Sequence, residues 1–239
     1  MAITLGTVTF DETHTTAQEK HEEVGGRDAR RIVLAGLIVG EASVEAIDAR
    51  LDTILDAASL PAEAGGTALA ALSLRAGRRL WVQRLAFSRE VARGSLVGSF
   101  TLQVEAPDPF EESVATHAVD WTISVQGATR TIASTGNVAS PAVITIVATG
   151  RLVNPSFGDG TATLVYSGIV EAGHTLRFDG VASAGGSPAC VLLDDEDVTP
   201  YTSGTFPRIA PEGTTLTYHD DVSSAHTCAA TLSYRDRWW

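Results

Sequence analysis

Two groups of side chains in this sequence have types and spacing that could bind a metal. His226 and Cys228 lie on the same side of a predicted strand, and Cys190 is the only further candidate ligand, whereas a zinc site needs about four. The acidic run at 194–197 lacks the set spacing and glycine turn of a calcium loop, so it is typical of a solvated loop. The sequence therefore predicts no metal and no cofactor.

Motifs for catalysis are also missing from the sequence. None of the six histidines belongs to a His-Glu-x-x-His motif. The segment 185–189, Gly-Gly-Ser-Pro-Ala, comes nearest to a Gly-x-Ser-x-Gly nucleophile elbow, but it lacks the final glycine and leads into a predicted strand. We therefore predict that the protein is not an enzyme.

Composition narrows the class of protein further. A chain of 239 residues, 44% hydrophobic and 19% charged, is typical of one large or two ordinary folded domains. No apolar run approaches the ~20 residues of a membrane span, and the first residues lack the pattern of a signal peptide. A net charge of −12 disfavours nucleic-acid binding, which requires a basic surface.

The chain changes character at a short segment that we call the joint, formed by Pro107, Asp108, Pro109 and Phe110. Its two prolines remove two backbone donors and force extended backbone before each, so the strand predicted over 99–105 ends there. The pattern is mixed before the joint and nearly pure β after it. We predict a domain boundary near residue 112, with domains 1–112 and 113–239.

The first domain contains one strongly predicted helix, over 43–58. Ser43 is a good N-cap, and the apolar residues recur at helical spacing. That stripe is Ile47, Leu51, Ile54, Leu55 and Ala58. Pro61 is expected to end the helix. The predicted order of elements is β-β-α-β-β-β. The polar segment 11–23 is expected to be a solvated loop or hairpin tip, or else an arm that reaches a neighbouring subunit.

The second domain shows short alternating segments separated by turns. Val119, Trp121, Ile123 and Val125 alternate with polar residues, and similar segments follow up to 228–234. This spacing is typical of a β-sandwich, with Trp121 in its core.

Apolar strand residues in the first domain exceed what a small sheet and one helix are expected to cover. The runs 32–39 and 80–87 carry most of this surplus, which a repeated identical neighbour could bury. We predict an oligomer interface that includes Ile32, Leu34, Ile38 and Trp81.

Three segments in this order resemble one protein family. The segment 26–36, Gly-Arg-Asp-Ala-Arg-Arg-Ile-Val-Leu-Ala-Gly, precedes the helix, a strand runs into Ala106-Pro107-Asp108-Pro109-Phe110, and the chain closes with 206–216 and the segment Arg235-Asp236-Arg237-Trp238. This order resembles the distal tail proteins of long-tailed bacteriophages, the siphovirus-type tail component family. The closing turn, 211–216, is one residue tighter than in that family.

The resemblance implies a mainly β protein with an N-terminal β-barrel-like domain that carries one helix, and a C-terminal galectin-like β-sandwich. It implies a homohexameric ring at the phage tail tip or baseplate, assembled in the host cytoplasm, that joins the tail tube to the tail-tip hub. DNA would pass through its lumen, and the negative charge suits such a channel. The alternative is a carbohydrate-binding adhesion module that recognises the host surface, with Trp238 or Trp239 as the stacking platform.

Overall fold

The computed structural model describes residues 2–24, 27–58, 69–181 and 189–239, and it is mainly β. One compact unit comprises residues up to Val114 and the other begins at Ala115. The predicted fold class is confirmed. The expected helix stop at Pro61 and most of the glycine-rich segment 185–189 lie outside the described residues.

The N-terminal unit contains one helix and eight strands in its described part. They are β1 (Ile3–Leu5), β2 (Val8–Phe10), β3 (Thr15–Val24), β4 (Arg27–Ile38), α1 (Val44–Ala57), β5 (Ala70–Ser73), β6 (Arg78–Ala92), β7 (Val97–Ala106) and β8 (Glu111–Ser113). The observed order therefore has more strands than the predicted β-β-α-β-β-β.

These strands form an antiparallel sheet in the order β2-β1-β5-β6-β7-β4-β3, and β8 pairs with the first residues of β6. Among the described strands the path stays open, with β2 at one end and β3 at the other. The register of β6 against β7 shifts by one residue between Arg84 and Ala86. This bulge changes which side chains of β6 face the core.

Helix α1 forms for the reasons that the sequence indicates. The Ser43 hydroxyl accepts a hydrogen bond from the backbone N of Ala46 at 3.2 Å. Ile47, Leu51 and Ile54 are buried against the sheet. A Cβ at Gly98 of β7 would lie 2.5 Å from the Ile47 side chain, so glycine at this position allows the helix to approach closely.

The polar segment 11–23 was expected to be a loop, and this expectation is wrong for most of its length. Residues from Thr15 onward form β3, which pairs with β4 from Thr15 opposite Gly36 to Val24 opposite Arg27. Polar side chains lower the intrinsic strand preference of β3, but the apolar strand beside it supplies a ladder and a partly buried face.

The C-terminal unit contains the remaining strands and one 3-10 turn. They are β9 (His117–Ile123), β10 (Thr129–Ile132), β11 (Ser140–Ala148), β12 (Leu152–Val153), β13 (Ser156–Gly158), β14 (Thr163–Tyr166), β15 (Ile169–Val170), β16 (Thr175–Asp179), β17 (Cys190–Leu193), β18 (Glu196–Asp197), a 3-10 turn (Thr199–Tyr201), β19 (Thr202–Gly204), β20 (Arg208–Ile209), β21 (Thr214–His219), β22 (Cys228–Tyr234) and β23 (Arg237–Trp238).

Two antiparallel sheets of this unit pack into a sandwich. One sheet has the order β18-β17-β16-β11-β22-β9, and the other has the order β10-β21-β13-β14-β19. Phe157 lies between them, with ring centroids 6.0 Å from Trp121 and 5.6 Å from Phe178. Trp121 is 8% exposed, as predicted for a core residue. No helix among the described residues is long and apolar enough to cross a membrane.

Candidate functional site

The joint follows directly from the end of β7. That strand stops at Ala106, and Pro107 and Asp108 are exposed, whereas Pro109 is buried. The Asp108 carboxylate accepts a hydrogen bond from the backbone N of Phe110 at 3.3 Å and closes the turn. The exposed part of the joint is therefore short, and its second half packs onto the N-terminal unit.

A buried arginine holds this second half in place. Arg30 of β4 is 1% exposed. One of its terminal nitrogens, Nη2, donates to Glu19 of β3 and, at 3.1 Å, to Glu111 of β8. Its other terminal nitrogen, Nη1, donates to the Pro109 carbonyl at 3.4 Å. A single guanidinium therefore contacts the edge strand and the segment that follows the joint.

Two further arginines complete what we call the arginine–glutamate cluster, defined by Glu19, Arg30, Arg75, Arg78 and Glu111. Arg75 contacts both carboxylates, with 3.5 Å between its Nη2 and Glu19. Arg78 approaches Glu111 Oε2 to 3.6 Å, an ion-pair contact too long for a hydrogen bond. Among the described residues, Arg30 Nε and Glu111 Oε2 lack a hydrogen-bond partner. The buried charges of Arg30 and Glu111 are therefore compensated by only a few hydrogen bonds and ion pairs.

Glu112 makes a separate set of contacts on the other side of β8. Its Oε1 accepts from the Trp81 indole nitrogen at 2.9 Å and from Arg79 Nε at 2.8 Å. The Arg79 guanidinium lies 4.6 Å from the centre of the Trp81 ring. Trp81 is partly buried, and within its own unit it already contacts Glu112 and Arg79.

Three of the predicted interface residues lie in the core of their own unit. Ile32 and Leu34 are 0% exposed and Ile38 is 8% exposed, and they pack in one cluster with Ile47 and Leu51 of α1. The helix covers the side of β4 that they occupy, so these three side chains offer a neighbouring subunit almost no exposed surface, and the predicted interface stays a prediction. Side chains of opposite parity, such as Leu37 at 47% exposure, face outward instead.

The sheet has two long edges that other described strands leave open. The β3 edge consists of Thr15–Val24, which pairs only with β4. The β6 edge consists of residues 83–92, which pair with β7 on one side, while β5 pairs with β6 only from Leu80 to Val82. Open edges of this length present rows of backbone donors and acceptors to another chain.

The two edges carry opposite charge. The sequence of β3 contains three glutamates and one lysine, a formal charge of −2. The β6 edge, residues 83–92, contains Arg84, Arg89 and Glu90, a formal charge of +1. Electrostatic attraction therefore favours contact between unlike edges.

The face of the sheet opposite α1 is mostly small and polar. It presents Thr16, Gln18, Val33, Ala35, Ser88, Ser99, Thr101 and Gln103, from rows that the register places side by side. Its two cations are each paired: Arg31 with Glu22 at 3.1 Å and Glu105 at 3.2 Å, and Lys20 with Glu22. Such a face offers little to hold a polyanion.

The C-terminal unit contains an aspartate–histidine pair that the sequence patterns did not indicate. The Asp220 side chain is 0% exposed and accepts from His226 Nδ1 at 2.5 Å and from the Tyr218 hydroxyl at 2.9 Å. His226 has a left-handed φ of 58° and precedes β22, so the prediction that it shares one side of a strand with Cys228 is wrong. The left-handed backbone was not visible in the residue pattern.

This pair does not form a nucleophile site with the nearby thiol. Burial, with a smaller contribution from Asp220, raises the pKa of Cys228 to about 12, which keeps the thiol neutral. Burial and the hydrogen bond to Asp220 likewise raise the pKa of Tyr218. No group of three or more His, Cys, Asp or Glu side chains that could hold a metal occurs among the described residues.

Asp236 is a second buried carboxylate that organises the end of the same unit. It accepts from Ser134 Oγ at 2.8 Å, Thr135 N at 3.2 Å and Thr135 Oγ1 at 2.5 Å. His117 Nε2 lies 3.0 Å from Asp236 Oδ2, the oxygen that also accepts from Thr135 Oγ1. Burial alone would raise the pKa of Asp236, but the hydrogen bonds from Thr135 and Ser134 outweigh it and hold the pKa below 3.8.

We expect Asp236→Asn to destabilise the protein by about 1–3 kcal/mol at pH 7, because it removes the charge that these donors stabilise. A lowered folded-state pKa contributes stability above the unfolded-state pKa of about 3.9, and that stability is lost as the pH falls further. The difference from the wild type should therefore shrink below pH ~4 in denaturant titrations. Asp120→Asn, at an exposed carboxylate with one hydroxyl donor, is the control and should show no such trend.

The fold and these contacts define a mainly β protein of two compact units, the first of which contains the arginine–glutamate cluster. No family model matches the sequence, and no curated protein matches it. Among solved structures, the chain is similar over 100% of its length, and 99% of the other chain, to the Dit protein (gp19.1) of phage SPP1. The TM-score is 0.66 at 10% sequence identity. That structure is described as a paradigm of the hub adsorption apparatus in phages that infect Gram-positive bacteria.

At this identity the comparison establishes the fold. The resemblance to distal tail proteins that the sequence indicated is confirmed at that level.

Proposed function

We propose that this protein is a structural component of a bacteriophage tail tip, where six copies form a ring that joins the tail tube to the tail-tip hub. The observation that carries the proposal is the fold shared with SPP1 Dit over the whole of both chains. Folds host many functions, so the surfaces of this chain must also suit the role.

The open edges of the N-terminal sheet suit ring assembly. Pairing the β3 edge of one copy with the β6 edge of the next continues the sheet from chain to chain. Such a contact joins two different surfaces, so it closes as a ring when the rotation per copy allows. The opposite charges of the two edges favour this pairing over contact between like edges.

The two faces of the sheet suit the inside and the outside of such a ring. Helix α1 makes one face of the sheet bulkier than the other. In the proposed ring that face would lie on the outside, where the circumference is larger. The other face would then line the lumen. Its small polar side chains and the neutralised Arg31 are compatible with DNA passing without being held, since binding requires cations that displace counterions.

Cross-linking tests the predicted pairing directly. We expect the double variant Gln18→Cys with Ser88→Cys to give a ladder of products that ends at six chains when treated with a short bismaleimide. The two positions lie on opposite edges, three strand spacings or about 14 Å apart within one chain, so a shorter linker joins only different chains. Gel electrophoresis and mass photometry measure the products.

Each single variant is the control and should give no ladder, because a head-to-tail contact never places a residue beside its own copy. All variants are made in a Cys190→Ser background. The remaining native cysteine, Cys228, is 1% exposed and so is not accessible to the reagent. Cross-linked dimers from a single variant would instead indicate a two-fold contact between like edges, and a product series that stops at two would reject the ring.

An adhesion role for the C-terminal unit is the second candidate function, and one observation favours it. Trp239 is 53% exposed, and its backbone N donates to Asn137 at 2.9 Å, which positions the residue. Binding of the full chain to a glycan array, abolished by Trp239→Ala, would support this role. Trp121 is buried and cannot contribute to it.

A further inference from the structure

The arginine–glutamate cluster connects two parts of the N-terminal unit that are distant in sequence. Glu19 belongs to the edge strand β3, and Glu111 follows the joint on β8. Arg30 and Arg75 each contact both carboxylates. We propose that these shared arginines couple the β3 edge to the joint, so that loosening either one loosens the other.

The physical basis is the cost of burying Arg30. A buried cation is stable only while its partners remain in place, and the loss of one partner leaves charge uncompensated in a poorly hydrated site. Arg30 is 1% exposed, and the side chain of Glu111 is 3% exposed. When the Glu111 side chain moves away or loses its charge, water can reach the Arg30 guanidinium only if the β3–β4 pairing around it opens. When Glu19 is lost instead, water can reach Arg30 only if the segment that carries Glu111 opens.

The neighbouring ion pairs do not share this property. Glu22 of β3 contacts Arg31 and Lys20, neither of which contacts the joint. Glu112 of β8 contacts Arg79 and Trp81, neither of which contacts β3. Each end of the cluster therefore has a matched glutamate one to three residues away that lacks the bridge.

The coupling has a consequence for assembly that rests on the proposed function. A neighbouring subunit that pairs with the β3 edge would restrain Glu19 and, through Arg30 and Arg75, the segment Pro109–Ser113. Binding at one site and order at the other must then favour each other by the same factor, because coupling free energies are reciprocal.

Hydrogen exchange of the full-length protein, followed by mass spectrometry, tests the coupling. We expect Glu111→Gln to accelerate exchange in the peptide 15–22 by about tenfold, and Glu19→Gln to accelerate exchange at 109–113 by a similar factor. Exchange in β11 should stay unchanged and serves as the reference for global stability. Glu112→Gln and Glu22→Gln should each affect only their own segment.

Acceleration confined to the substituted segment in both cluster variants would overturn the coupling. Glu111→Asp, which keeps the charge but shortens the side chain, provides the same test if Glu111→Gln does not fold. Mass photometry records the particle size of every variant, so ring formation is scored separately. Reciprocal exchange in a protein that forms no ring would support the coupling and reject the proposed assembly.

Discussion

Replacing Arg30 by methionine is expected to destabilise the protein by about 3–5 kcal/mol, because the Glu111 carboxylate stays buried without one of its cationic partners. The side chain of Glu111 is 3% exposed, and it would keep only its contacts with Arg75 and Arg78. Methionine replaces the aliphatic part of the arginine side chain, so the loss is chiefly that of the guanidinium and its ion pairs. Urea denaturation followed by circular dichroism measures the change.

Arg31→Met is the matched control. Arg31 is the next residue on the same strand and also has two carboxylate partners, but its side chain is 42% exposed. Solvent screens such pairs, so its loss should cost less than about 1 kcal/mol. Equal costs for the two substitutions would mean that Arg30 is hydrated in solution, and they would remove the basis for the coupling of β3 to the joint.

Phe157→Ala is expected to have an effect of similar size in the C-terminal unit, about 3–5 kcal/mol. Phe157 is 1% exposed and packs against Trp121, Phe178 and Tyr218, with a centroid distance of 5.4 Å to the last of these. Alanine would leave a cavity between the two sheets and remove three aromatic contacts at once.

Denaturation monitored by near-ultraviolet circular dichroism and tryptophan fluorescence measures this effect. Tyr201→Ala is the control, because Tyr201 is 63% exposed and its loss should change stability by less than about 0.5 kcal/mol. A small loss for Phe157→Ala would indicate that the sheets close over the cavity.

Local patterns in the sequence were enough to predict elements whose residues interact with near neighbours. The helix was predicted over 43–58 and is observed over Val44–Ala57, with Ser43 as its cap. Ile47, Leu51 and Ile54 are buried as the helical spacing requires. In β9, Trp121 and Ile123 are buried as predicted, although Val125 lies beyond the strand and is 57% exposed.

Sheet register could not be predicted in the same way. Trp81, Leu85 and Phe87 share one parity in the sequence, a pattern typical of side chains on one side of a strand. Before the bulge between Arg84 and Ala86, Leu80 and Val82 face the core. After it, Phe87 packs against the core opposite Leu102, whereas Leu85 is 46% exposed. A bulge depends on how two strands fit together, and a single-strand pattern contains no record of it.

The arginine–glutamate cluster was missed for a related reason. Arg30 and Glu111 are separated by 81 positions, and charged residues are usually assigned to the surface. One signal was present: Arg30 shares its parity with Ile32 and Leu34, which places it on the buried face of β4. An arginine in phase with core residues requires a carboxylate from another segment.

The charge on the β3 edge has a consequence for how often assembly goes wrong. In solution, two copies could pair through identical β3 edges and form a dead-end dimer. Such a pair would align a strand of three glutamates and one lysine with its own copy, and like charges across a ladder are destabilising. If the ring forms as proposed, this repulsion acts as proofreading. It shortens the lifetime of contacts between two β3 edges, so each β3 edge stays available for the β6 edge of the next subunit.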